Sequence, residues 1–380
     1  MNMDEVIGQE GVKRLLLRQL EEGRVPHAQL FCGPAGSGKL PMALAFATAL
    51  LCQQRQGLTP CGHCNDCAMT AHFAHPDLHF IFPIFKKSSS TKAVSDTFIT
   101  EWRTLLSETP WISRNTWNDR LGIENQQPEI YEGLNVCPTH RIPEPEIYES
   151  QSTEIIQKLS LVAQKAGGYK VVIVWQADKM NLSCSNKLLK TLEEPIGRTA
   201  FILVSDQPEK LLPTILSRVQ RIDFPALRQE DIEQALCRQR GLQEADARTI
   251  ARSANGNYTL ALQQLGVNAD AATYFDMFVL LMRRCYMRDI KELSRWSETV
   301  STWGRERQKH FLDYCQRLIR ENFIYNFRQA ELNYETQKEA DFSRNFARFI
   351  NERNVIGIMD EFSLAQRDIE SNVNPRMVFF

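Results

Sequence analysis

The sequence has almost no net charge, no long apolar run, no internal repeat and no low-complexity tail, and each gap excludes something. Lys plus Arg is 45 and Asp plus Glu is 46, leaving a net charge of -1. A polycation that coats nucleic acid without specificity is thereby excluded, although a local basic stripe is not. No apolar run reaches the roughly 18 residues that cross a bilayer, so no membrane span is expected. The opening Met1-Asn2-Met3-Asp4-Glu5 has neither a basic stretch nor an apolar core. No secretion signal is expected from it, and the expected location is cytoplasmic. The missing repeat rules out a solenoid. What is present is 380 residues, 43% hydrophobic and 24% charged, enough for two or three globular domains with buried cores. Ten cysteines in a cytosolic chain point to metal or free thiols before disulfides.

The order of elements predicts an α/β opening over residues 5–82. A helix over 10–22 leads to a short strand at 28–32, a glycine-rich turn, a long apolar helix over 42–52 and a strand at 78–82. From about 86 to 149 the texture changes. That stretch holds Ser88-Ser89-Ser90, five prolines and three of the six tryptophans, with weak periodicity. It reads as an insertion decorating a domain. Trp102, Trp111 and Trp117 predict a small local core packed on the base, with a protein-docking surface as the alternative. Removing 88–148 is then expected to leave the fold intact. The pattern resumes with a helix over 152–166, strands at 170–175, 200–205 and 220–224, and a helix over 183–193 stopped by Pro195. Short apolar runs alternating with helices imply a parallel sheet covered on both faces. Beyond Pro225 only helical patterning remains, a small set over 228–266 and a larger one over 272–380.

Gly33-Pro34-Ala35-Gly36-Ser37-Gly38-Lys39-Leu40 fits G-x-x-x-x-G-K between a strand and a helix, where a phosphate loop belongs. Gly33, Gly36 and Gly38 let backbone N–H groups, with that of Ser37, converge on a polyphosphate, and Lys39 adds charge. Leu40 stands where Ser or Thr would place a hydroxyl on Mg²⁺. The apolar strand Val171–Val174 ends in Trp175-Gln176 instead of a pair of acids. Asp178 lies three residues past the strand and is read as capping or stabilising the next helix. Without metal hydroxyl, metal acid and base, ATP hydrolysis is not expected. ATP binding stays open.

Cys52, Cys61, Cys64 and Cys67 are spaced C-x8-C-x2-C-x2-C. Four thiolates fill a tetrahedral Zn²⁺ site and leave no position for a reactive water, so one structural Zn²⁺ is expected. His63 lies between ligands and could compete. Cys137 and His140 in the insertion are a decoy at which no metal is expected, and Cys32, Cys184, Cys237, Cys285 and Cys315 are expected to be core thiols.

Together these features resemble the delta-prime family of bacterial DNA polymerase III clamp loaders, of the AAA+ class. Ile7-Gly-Gln-Glu10, His27-Ala-Gln-Leu-Phe31, the cysteine module, Asn186 through Pro195 (ending Leu-Glu-Glu-Pro) and Pro208 through Arg218 (ending Ser-Arg) carry the match. The resemblance covers 5–82 and 150–265, the C-terminal helices only loosely, and 86–149 not at all. It implies an AAA+ α/β base over 1–224 with the zinc module at 52–67, a helical lid over 225–267, and a helical collar over 268–380 that joins a five-membered ring. It implies a stationary, non-hydrolysing subunit of the DNA polymerase III holoenzyme that helps load the sliding clamp onto primed DNA. Its implied partners are gamma/tau-like ATPase subunits and a delta-like subunit, with the clamp and primer-template DNA reached through the complex. Arg218 would be presented to a neighbouring subunit's ATP as an arginine finger, with Ser217 orienting it. Thr259 stands where an active sensor 2 carries Arg, and Val219 where Ser-Arg is usually followed by Cys.

Two other readings stand beside this one. A working gamma/tau-like ATPase would need acids at the end of the 170–175 strand. A zinc nucleic-acid module would need surplus basic charge near the cysteines, where the sequence offers Arg55, Asn65 and Asp66.

Overall fold

The structure is a computed structural model that describes residues 2–379 apart from 56–58, 86–93, 122–144, 162, 165–166, 327–336 and 371–372. The chain divides into two compact units, Met1–Ala261 and Leu262–Phe380. In the first, β1 (Ala28–Cys32), β2 (Leu78–Ile81), β3 (Lys170–Trp175), β4 (Thr199–Ser205) and β5 (Gln220–Asp223) form one sheet. Its order is β2-β3-β4-β1-β5, and every described pairing is parallel. Neighbouring residues of one strand serve opposite faces, as the pleat requires. Val171 and Ile173 enter one apolar cluster, while Val172 and Val174 enter the other. Both faces are therefore covered, which explains why the strands read as continuous apolar runs.

On the first face lie α1 (Glu10–Glu21) and α2 (Lys39–Leu51), and the short α3 (Asn65–Ala71) follows them in the chain. Helix α2 is buried along its whole length, consistent with a sequence that is apolar all round, and Pro41 falls in its first turn.

The described part of the insertion departs from expectation. Its chain leaves and returns at one point, where Ile84 and Glu146 exchange backbone hydrogen bonds of 3.0 Å. Between them α4 (Ile99–Glu108) and α5 (Arg114–Arg120) send Trp102 and Trp117 into the main core, each 0% exposed. Trp102 stacks on Phe82 at 4.5 Å and meets Trp175 at 5.1 Å, and Trp117 donates its indole N–H to the Pro83 carbonyl at 2.7 Å. These residues build no separate local core. The sheet's first face is finished by the two indoles, so the expectation that 88–148 could be removed harmlessly is corrected.

On the second face α6 (Glu149–Ser160) and α7 (Leu182–Glu193) supply Ile155, Leu159, Leu188 and Leu192. Asn181 caps α7, its side chain accepting from the Cys184 N–H at 2.8 Å.

The short α8 (Pro213–Leu216) leads into β5. After that strand come α9 (Gln229–Arg240) and α10 (Glu244–Ser253), then α11 (Tyr258–Met287), which begins in the first unit. The second unit is helical throughout its described residues. It comprises the rest of α11 with α12 (Ile290–Ser301), α13 (Arg305–Tyr325), α14 (Gln337–Phe346), α15 (Val355–Glu370) and α16 (Pro375–Val378). Its core gathers Tyr274, Phe278, Trp296, Phe311 and Leu318. Among the described residues no helix is long and apolar enough to cross a membrane.

Candidate functional site

The glycine-rich turn runs from the end of β1 into α2, as the motif predicts. Lys39 is 4% exposed. Its Nζ donates to the carbonyls of Gly33 at 2.8 Å and Pro34 at 2.5 Å, and to Ser37 Oγ at 3.3 Å. It also pairs with Asp206 Oδ1 at 2.8 Å, just past β4. Burial pulls the ammonium's pKa down, and the Asp206 carboxylate opposes that pull. Ser37 is fully buried, and its carbonyl accepts from Gln9 Nε2 at 2.9 Å, which ties the start of the chain to the loop.

The positions that would hold metal and water carry apolar or amide groups. Leu40 is buried in the first core cluster, and Trp175 packs against Trp102. Gln176 is buried, with a left-handed backbone. Asp178 does not cap α7, a role Asn181 fills. Its turn directs the carboxylate inward, where Ser205 Oγ donates to it at 2.8 Å and Arg114 lies 3.9 Å away.

Cys52 closes α2, Cys61 and Cys64 lie on the following turns, and Cys67 sits in α3. All four sulfurs lie within 4.8 Å of one another. Three of the separations are 3.7, 4.0 and 3.9 Å. A tetrahedron with metal–sulfur bonds of about 2.3 Å has edges of about 3.8 Å, so the four could hold a metal ion. Backbone N–H groups of Cys61, Cys64 and Cys67 each point at a sulfur at 3.4 Å, the kind of outer support that steadies thiolates. Burial pushes the Cys52 and Cys67 thiols up, whereas at Cys61 it is outweighed by the His63 and Cys64 N–H groups and the neighbouring thiols, which bring its pKa down to about 6. His63 is exposed and turns its ring to the Cys61 carbonyl at 2.7 Å, outside the sulfur cluster. Asp66 is buried 3.5 Å from His75, so it adds no surface charge to the module. Cys137 and His140 lie outside the described residues. Cys32, Cys184 and Cys315 are core thiols as expected, whereas Cys237 is half-buried and Cys285 exposed.

Arg218 follows the short helix α8, with Ser217 ending that helix. Its Nε donates to Glu193 Oε1 at 2.5 Å, and Nη2 pairs with the same oxygen. Nη1 donates to the Thr214 carbonyl at 2.7 Å and to Ser217 Oγ at 3.1 Å. The side chain is 31% exposed and that of Glu193 47%. Arg221, in β5, pairs with Asp223 at 2.8 Å. Sequence reasoning did not identify Asp206 or Glu193 as partners of these sites. Glu193 alone had a signal, as part of Leu-Glu-Glu-Pro.

A parallel sheet with β4 between β1 and β3, and a glycine loop leading from β1 into a buried helix, define an α/β module of the P-loop class. The family is narrower. Residues 8–228 match the family described as DNA polymerase III, delta subunit, and the chain belongs to it. It is 29% identical over 231 residues to the DNA polymerase III subunit delta' of Bacillus subtilis, covering 61% of this chain and 52% of that protein. It is 31% identical over 192 residues to the delta' subunit of Pseudomonas aeruginosa, covering 50% and 41%. The subunit tau of Bacillus subtilis is 27% identical over 267 residues, covering 69% and 37%. The match thus spans about half the length, or less, of these curated relatives.

Proposed function

We propose that this chain is a non-hydrolysing delta-prime subunit of a cytoplasmic DNA polymerase III clamp loader. In that role it presents Arg218 to the ATP of a neighbouring gamma/tau-like subunit and helps place the sliding clamp on primed DNA. The observation that carries the first half is Trp175: an indole built into the core stands where phosphoryl transfer needs a metal-binding acid. Leu40 and Gln176 fail in the same direction. The second half draws on the position of Arg218 at the rim of the base, with its planar, permanently charged fork partly exposed. Ser217 and Thr214 hold one arm of that fork. The Glu193 pair is what an unpartnered finger would rest on. It is solvent-exposed, and such pairs are worth roughly 0–1 kcal/mol, too little to withhold the arginine from a phosphate.

In this reading 225–267 would be the lid and 268–380 the collar that joins a delta-like subunit and the ATPases. Zn²⁺ is the ion that four thiolates suit best, and it would act as a structural clip.

Two measurements on the purified chain test the reading. ATP turnover should stay at background, and the protein should carry about one zinc per chain, as one closed four-thiolate site implies, with Cys64→Ser losing it. Robust turnover abolished by Lys39→Ala would favour the gamma/tau-like ATPase instead. Absence of zinc from protein kept reduced throughout would remove the clip.

A further inference from the structure

The glycine loop fits the phosphate-loop pattern, yet Leu40, Trp175 and Gln176 stand where the groups that use a bound nucleotide would be. Its surroundings supply another reason for the glycines. A Cβ on Gly36 would stand 1.8 Å from Asn257 Oδ1 and 3.0 Å from the Tyr258 nitrogen. The Tyr258 N–H donates to the Gly36 carbonyl at 3.2 Å. Gly38 is covered from another side, where its Cβ would lie 3.1 Å from the Trp111 ring. Trp111 and Tyr258 meet edge to face at 4.7 Å, and both are buried. Tyr258 is fixed at its far end too, its hydroxyl donating to Gln239 of α9 at 3.1 Å. Asn257 caps α11, accepting from the Leu260 N–H at 3.0 Å.

We propose that the loop is a seat for the chain's own side chains. It clamps Trp111 of the insertion and the capped start of α11 onto the α/β base, and it is closed to nucleotide. A phosphate cradle needs converging N–H groups and a free ammonium. Here two carbonyls, a hydroxyl and a carboxylate already take the donors of Lys39. The glycines serve close approach by Asn257 and Trp111, a reason for them that needs no Mg²⁺ ligands. The insertion thereby has two roles. Helices α4 and α5 complete the core, and the Trp111 between them closes the loop. The clamp is the same whichever partner Arg218 serves.

The test uses the full chain and Mg-ATP as the probe. Wild-type protein should show no rise in melting temperature with millimolar Mg-ATP, since a ligand that binds only the native state must raise it. Gly36→Ala should lower the melting temperature by roughly 2–4 °C or more, as a modest loss of stability does in a domain of this size. It should also speed amide exchange over residues 254–261 by about tenfold or more, as expected when a docked segment opens locally. Gly11→Ala, in a helix with open space at its Cβ, should neither lower the melting temperature nor speed exchange over 254–261. Trp111→Leu keeps apolar bulk but loses the ring contact. It should speed exchange over the same residues, which covers the case in which Gly36→Ala does not fold. Stabilisation of the wild type by Mg-ATP, or protection of residues 33–39 by it, would overturn the proposal. So would unchanged exchange at 254–261 in both variants.

Discussion

Lys39 and Arg218 both rest on a carboxylate of their own chain, yet the two pairs differ in kind. The Lys39 side chain is 4% exposed and shares its three N–H donors among that carboxylate, two carbonyls and a hydroxyl. Arg218 is 31% exposed, and since the partners Glu193 and Asp206 are both about half in water, the difference lies in the cations. A buried cation with every donor used is expensive to move, because each group left behind loses its partner inside the protein. An exposed pair is screened and costs little to exchange for another anion. The first pair is a lock and the second a resting place. That contrast separates what this chain keeps for structure from what it can offer to a neighbour.

Breaking the lock should have the larger effect on stability. Lys39→Ala leaves the Gly33 and Pro34 carbonyls without their shared donor, while the half-exposed Asp206 turns to water, and should cost about 1–3 kcal/mol, as buried polar groups stripped of a partner do. Chemical denaturation of the two proteins checks this. A change below the error of the method would mean that Lys39 is as free as Arg218 and the contrast fails. Breaking the resting place should barely register in stability. Glu193→Gln should instead raise the ATPase rate of a reconstituted complex at limiting ATP by up to about fivefold, the most that an exposed pair could have withheld. A fall in rate would make Glu193 a positioning residue and not a competitor.

Much of the sheet was legible because each strand of a covered parallel sheet is apolar on both faces. The strands at 28–32 and 170–175 stand as read, and the others shift by one residue. The helix expected over 152–166 starts instead at Glu149 and ends at Ser160, after which Leu161 is extended. Its start is set by Gln151 reaching back to the Tyr148 N–H at 2.8 Å, a box with an unusual first residue and so a weak signal. The four-cysteine cluster was legible because its ligands are local in sequence. The insertion was misread for the opposite reason. Trp102 and Trp117 find Phe82 and Trp175 only in the folded core, and no local periodicity announces that. Asp206 and Asn257 reach the loop from strand and helix ends distant in the chain, so the motif was readable while its occupation was not.

The most direct test sets the two cations against each other in one assay: ATP hydrolysis by a reconstituted clamp-loader complex, in the presence of clamp and primed DNA, carrying either Lys39→Ala or Arg218→Ala in this subunit. Both complexes should assemble. The account predicts that Lys39→Ala leaves hydrolysis per assembled complex unchanged. Arg218→Ala should remove the contribution of the neighbouring site, where an arginine finger is worth on the order of 10³-fold or more, and Arg218→Lys should recover little of it. Full activity with Arg218→Ala, or loss of activity with Lys39→Ala in a properly assembled complex, would contradict it.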